Sequence, residues 1–227
     1  LADRKTVRQT MPKLARKVRP KTFKRNFREH YPLNLTRALF ESAGGGHIEE
    51  LRLLLEAKAH VDKLGGDCGD YTALRKATEA KQVDAVKFLL EAKAAPSINT
   101  VYGETLIHTA ISNGAAACLR LLLEAKADPN VLGEMDPDMA EAMEDLSEFE
   151  EQYAVPPVIF AIHKYESDCL QLLIDANADL NVTHQGVTVE ETAMEYDDCY
   201  VDTVRKGLAL AQAKENAAAD SGTGKWF

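Results

Sequence analysis

Four short apolar stretches recur along the chain with one spacing: Leu51, Leu53, Leu54 and Leu55; Val86, Phe88, Leu89 and Leu90; Leu119, Leu121, Leu122 and Leu123; and Leu170, Leu172, Leu173 and Ile174. Each forms a short apolar-faced segment, with its first, third and fourth named residues at i, i+3 and i+4 on one side of a helix. Each stretch runs into a near-identical tail: "EAKAHVD", "EAKAAPS", "EAKADPN" and "DANADLN", ending at Asp62, Ser97, Asn130 and Asn181. Ahead of each lies a second apolar-faced segment and a Gly- or polar-rich break, as in "GETLIHTAISNGAAACLRLLLEAKADPN", residues 103–130. The pattern predicts two short helices per unit. Neither is long enough to bury its apolar side alone, so stacking on neighbouring pairs must supply the core.

Consecutive tails end 35, 33 and 51 residues apart. A repeat of about 33 residues accounts for the first two gaps. The third is one unit carrying an extra 18 residues, which fall within 131–155.

The conserved-looking words inside the units narrow the class. "TLIHTA" (105–110) and "YTALRKA" (71–77) partly match T-P-L-H-x-A, "GHIEE" (46–50) matches G-H-x-E, and "KADPN" and "NADLN" match the ending G-A-D-x-N. On these residues the chain resembles the ankyrin-repeat family over about 32–183. The resemblance implies an all-α ankyrin-repeat solenoid of four to five helix-turn-helix units, binding proteins through its loop tips and the exposed faces of its first helices. Tyr71, Lys76, Tyr102, Glu104 and Asn113 stand at such positions and are candidate protein-binding residues.

One departure matters. The family places Gly just after the second helix, where the chain turns through positive φ. Here Lys58, Lys93, Lys126 and Asn177 occupy that place. Asn tolerates the conformation; Lys pays on the order of 1 kcal/mol. The lysines are expected to be exposed helix ends, favourable against the helix dipole.

Charge divides the chain further. Residues 1–30 hold eleven Lys/Arg and two acids; the other 197 residues hold 16 Lys/Arg and 34 acids. A basic arm on an acidic body points to a polyanion or an acidic protein surface. The arm interleaves cations with flat rings: Lys13, Arg16, Lys17, Arg19, Lys21, Phe23, Lys24, Arg25, Phe27 and Arg28 are candidate RNA-binding residues. Clustered cations displace counterions from phosphates, and rings stack on unpaired bases. Phe23, Phe27 and Tyr31, spaced by four, equally suit a helix face docked on the first repeat. For the cations alone, a nuclear import signal or an anionic membrane surface are the rivals. The sequence opens at Leu1, which fits a cleaved import signal as well as a shortened chain.

The segment 131–155 has nine Asp/Glu and no Lys/Arg. Met139, Met143, Leu146, Phe149 and Tyr153 lie on one helix face, with acids opposite. It reads either as a solvated helix on the stack or as a contact for a basic partner, the chain's own arm included. The expected organisation is a basic arm (1–31), repeats one to three (32–130), the acidic insertion (131–155), repeat four (156–183), a degenerate capping repeat (184–217) and a tail (218–227). Glu190 falls where Leu is usual, as suits a cap, and Val201, Val204 and Leu208 give the last helix an inward face. Trp226 and Phe227 are candidate anchors in a partner's pocket.

No chemistry of an active site is evident. There is no P-loop, nucleophile elbow or dinucleotide fingerprint. His30, His60, His163 and His184 have no partner at metal-ligand spacing, and the four cysteines form no CxxC pair, so neither metal nor cofactor is expected. His108 stands at the His of the family's T-x-x-H, and the resemblance implies that it bonds neighbouring backbone. Cys118 and Cys169, at equivalent places in two units, are expected to be small core residues. No apolar run reaches the roughly 18–20 residues of a membrane span. The expectation is a non-catalytic architectural subunit of a hetero-assembly, such as an organellar (mitochondrial) ribosome with the arm on ribosomal RNA. Alternatives are a subunit of a membrane-associated energy complex and a free cytosolic or nuclear adaptor.

Overall fold

A computed structural model describes residues 35–64, 71–97, 104–133 and 154–222. The chain divides into two units, residues 1–100 and 101–227.

In the first unit, α1 (Leu35–Gly44) and α2 (Ile48–Glu56) form one helix pair, and α3 (Ala73–Glu79) and α4 (Val83–Glu91) the next. α1 packs on α3 and α2 on α4, so like helices stack on like. The core between them is Leu39, Ala43, Leu51, Leu54, Leu74, Ala77, Val86 and Leu89.

The second unit has α5 (Leu106–Ser112), α6 (Ala116–Glu124), α7 (Pro157–His163), α8 (Ser167–Asp175), a two-residue hairpin of β1 (Thr183–His184) and β2 (Val187–Thr188), α9 (Val189–Tyr196) and α10 (Asp198–Gly222). First helices again stack in order, α5 on α7 on α9, and second helices α6 on α8 on α10. Leu106, Ile111, Leu119, Leu122, Ile159, Ile162, Leu170 and Leu173 fill the space between. Within each unit the helix pairs stack in the manner of ankyrin repeats, and the described residues are mostly helical. The hairpin is the exception to the all-α expectation. Gln185 and Gly186, both at positive φ (51° and 82°), turn the strands back within two residues.

Local chemistry sets each start. The Thr72 and Thr105 hydroxyls accept from the third backbone N–H of α3 and α5. α7 starts on Pro157, whose fixed φ suits the first turn. Thr188 and Glu191 close a reciprocal capping box on α9.

The stops are more uniform. After α2, α4, α6 and α8 the chain passes through Lys58, Lys93, Lys126 and Asn177 at φ 67°, 67°, 69° and 61°. Each donates its N–H to the carbonyl three residues back, and the next residue donates to the one five back: Lys93 to Leu90 at 3.0 Å, Ala94 to Leu89 at 2.9 Å. This is a Schellman turn built on the residues expected to need it, and the three lysines are exposed. A second such turn joins the helices within each pair, at Gly46, Lys81, Gly114 and Tyr165 (φ 55° to 68°).

The tips of successive units are tied by a repeated bond. Asp62 Oδ1 accepts from the Ala95 N–H at 2.9 Å, and Asn130 Oδ1 from the Asp179 N–H at 2.7 Å. The second bond spans the long insertion and has the same form as the first.

At the end of the chain, Val201 and Val204 of α10 are buried and Leu208 is half-buried. Glu190, in a position where Leu is usual, pairs with Arg205 (Oε1 to Nε 2.7 Å). Helix α10 continues to Gly222, so residues 218–222, expected in a loose tail, are helical. The Ala-rich run before them favours continued helix.

Candidate binding faces

The described candidate residues fall into two groups. Tyr71, just ahead of α3, stacks on Phe40 of α1, with centroids 6.5 Å apart and planes at 27°. The Arg75 guanidinium lies over the Tyr71 ring at 4.7 Å. Lys76 Nζ stands 5.6 Å from the Phe40 ring centre and 2.9 Å from Glu79 Oε2. Tyr71 and Lys76 therefore belong to one ring-and-cation face, spread over two stacked first helices. Phe40, which joins them, was missing from the sequence-based set. Its place in the register could have flagged it, because an apolar ring stands three residues after Arg37 at a half-exposed position of α1.

Glu104 and Asn113 converge on one residue of α5. Glu104 Oε1 accepts from the Thr109 hydroxyl at 3.1 Å, and Asn113 Nδ2 donates to the Thr109 carbonyl at 2.8 Å. Both side chains are half-buried, so both shape the helix as well as lining its edge.

His108 lies beneath them, fully buried. Nε2 meets the Val155 carbonyl at 2.9 Å, Nδ1 meets Thr105 Oγ1 at 2.8 Å, and the ring sits edge-on to Phe160 at 4.9 Å. Burial holds its pKa below the ordinary 6.5, against the opposing pull of the Val155 carbonyl and Glu104. The imidazole is thus a neutral donor to backbone, as the sequence led one to expect.

A third face had no sequence prediction. His163 at the end of α7 stacks on Tyr196 at the end of α9, with centroids 5.7 Å apart and planes at 26°. Tyr165, in the turn after α7, meets the same Tyr196 edge-on at 5.3 Å. Tyr165 is 69% exposed and Met194 of α9 is 55% exposed. A bulky ring at a turn position held by Gly in two other units was the available signal.

Cys118 and Cys169 are buried in α6 and α8, as expected of small core residues. Glu50 of "GHIEE" is buried and accepts from the Ser42 hydroxyl at 2.9 Å, bracing α1 against α2. The arm with all its assigned cations and rings, Tyr102, Trp226, Phe227 and residues 134–153 of the insertion lie outside the described residues. Among the described residues, no helix is long and apolar enough to cross a membrane.

Stacked helix pairs with rings and charges on the first-helix faces define a repeat-type protein-binding scaffold. Residues 14–100 match the family profile for ankyrin repeats in three copies, and residues 102–134 the profile for a single ankyrin repeat. The chain belongs to the ankyrin-repeat family, whose repeats are protein-interaction modules. The match begins inside the basic segment and stops before α7, yet α7 and α8 repeat the same turns and stacking. Over 97 residues, 42% of its length, the chain is 39% identical to human SH3 and multiple ankyrin repeat domains protein 2. Over 83 residues, 37% of its length, it is 37% identical to E3 ubiquitin-protein ligase KEG of Arabidopsis thaliana. It spans about 5% of the length of either relative.

Proposed function

We propose that this chain is a non-catalytic scaffold in a large hetero-assembly, an organellar ribosome of the mitochondrial kind, its repeats on protein and its basic segment on ribosomal RNA. The observation that carries the reading is the charge division. Eleven Lys/Arg fall within residues 1–30, whereas residues 101–227 hold seven Lys/Arg against 24 Asp/Glu. One chain with a polycationic end and a polyanionic body can bridge nucleic acid and a basic protein, and an architectural subunit does that. Tyr71, Lys76, Glu104 and Asn113 supply described parts of the protein-binding surface; Tyr102, Trp226 and Phe227 are assigned to it from sequence. The cations and rings from Lys13 to Arg28 supply the RNA contacts.

Replacing Arg16, Arg19, Arg25 and Arg28 together tests the RNA arm. Crosslinking to RNA should be lost while the helical circular dichroism is kept, and wild-type affinity should fall steeply with salt, by one log unit or less per log of salt for each phosphate contact. Unchanged crosslinking overturns the RNA arm. Capture by anionic vesicles or by acidic proteins instead would move the chain to the membrane-complex or adaptor class.

A further inference from the structure

The ring face on α7 and α9 has a chemistry that the general reading leaves unused. His163, Tyr165 and Tyr196 form a continuous aromatic cluster, with Tyr165 its most exposed ring. Tyr165 is held there at φ 59°, a conformation that costs a side chain about 1–2 kcal/mol. Gly stands at the equivalent place in two other units, so the fold does not need the ring.

The electrostatic setting is anionic. Glu195 acts on both His163 and Tyr196, and Glu166 and Asp197 act on the adjoining Tyr200. Lys164 is the opposing cation, and its ammonium lies over the Phe160 ring at 5.2 Å. Burial first, then His184 and Lys164, hold the His163 pKa below 6.5 against Glu195, so the ring is uncharged at neutral pH. The second unit, taken whole, has a net charge of −17 from its seven Lys/Arg and 24 Asp/Glu.

An exposed neutral ring stacked against two half-buried ones, with the Glu195 carboxylate acting on them, favours a flat cation. A guanidinium stacks on aromatic faces and pairs with carboxylates at its edge, which an ammonium does less well. A phosphate backbone is repelled by the same field. We propose that the His163–Tyr165–Tyr196 face is a docking site for an arginine-rich segment of a partner protein. The proposal rests on the reading of the repeats as protein-binding and names the chemistry of one partner.

The test uses the full chain and three fluorescent probes of equal length: an arginine–glycine peptide, its lysine–glycine counterpart and single-stranded RNA. Anisotropy should show the arginine peptide binding more tightly than the lysine one. Tyr165→Gly, which removes the ring and suits the left-handed backbone, should weaken arginine-peptide binding about tenfold without loss of folding. Tyr196→Ala should do the same. RNA binding should be unmoved by either. Equal peptide affinity in wild type and Tyr165→Gly overturns the proposal, as does RNA binding that falls with the variants. If both peptides are unaffected but a natural protein partner still binds the repeats, only this assignment fails and the scaffold reading stands.

Discussion

His108 Nε2 lies 2.9 Å from the carbonyl oxygen of Val155, the last residue of the acidic insertion and 47 positions further along the chain. The carbonyl can only accept, so Nε2 carries the hydrogen, and Nδ1 is left to accept from the Thr105 hydroxyl. Thr105 Oγ1 in turn accepts from the His108 N–H at 3.2 Å. One buried imidazole thus fixes its own helix start and the chain just ahead of α7. It ties α5 to the chain that enters α7, two stretches far apart in sequence.

His108→Leu removes both ring bonds and leaves the buried Val155 carbonyl without its imidazole donor. The expected loss is about 1–3 kcal/mol, measured by urea unfolding. The wild type should also lose stability in mild acid. Its His108 pKa lies below 6.5 when folded, so the unfolded chain takes up the proton first as pH falls. The contribution is whole above about 6.5 and drains away below it, toward the folded pKa. That part of the acid sensitivity should be absent in His108→Leu.

The left-handed lysines give a second test. Lys58, Lys93 and Lys126 sit at φ 67° to 69° in exposed Schellman turns. Each Lys→Gly change should stabilise by up to about 1 kcal/mol, because relief of the backbone outweighs the added freedom of the unfolded chain. Lys→Ala at the same sites should give no such gain. Thermal unfolding of the three single variants checks both halves.

Gly207 marks a close approach of α10 to Leu180 and Ile174 of the fourth repeat. A Cβ there would lie 2.7 Å from Leu180 Cδ1 and 2.9 Å from Ile174 Cγ2. Gly207→Leu should therefore destabilise by about 1–3 kcal/mol and detach the end of α10, seen as lost helical signal.

Thiol labelling separates the core cysteines from the surface. Cys118 and Cys169 are buried and Cys199 is exposed. A maleimide should modify Cys199 in the native protein and reach Cys118 and Cys169 only as urea unfolds the stack. Native labelling of Cys118 and Cys169 would place α6 and α8 wrongly.

Periodicity made the repeats legible because every unit must bury the same helix faces, and the tails write that register four times. The left-handed places of Lys58, Lys93, Lys126 and Asn177 followed from the family resemblance, because they stand where its Gly is usual. His108 was legible too, since its position requires a backbone partner, but Val155 as that partner was not. Local spacing says nothing of a contact across an insertion. The Tyr165–Tyr196 face was hidden for the same reason: it joins a turn of one unit to a helix end of the next. The hairpin at Gln185–Gly186 and the helical run to Gly222 rest on local chemistry, a Gly turn and an Ala-rich stretch, which lies outside the repeat's periodicity.

Sedimentation of the tagged full chain through a sucrose gradient, with ribosomal RNA and membrane-complex markers read in every fraction, tests the central claim most directly. The scaffold reading expects it to travel with ribosomal particles and to be stripped from them by salt when the cations from Lys13 to Arg28 are replaced. Travel with membrane complexes, or at the top of the gradient as a free chain, would contradict it.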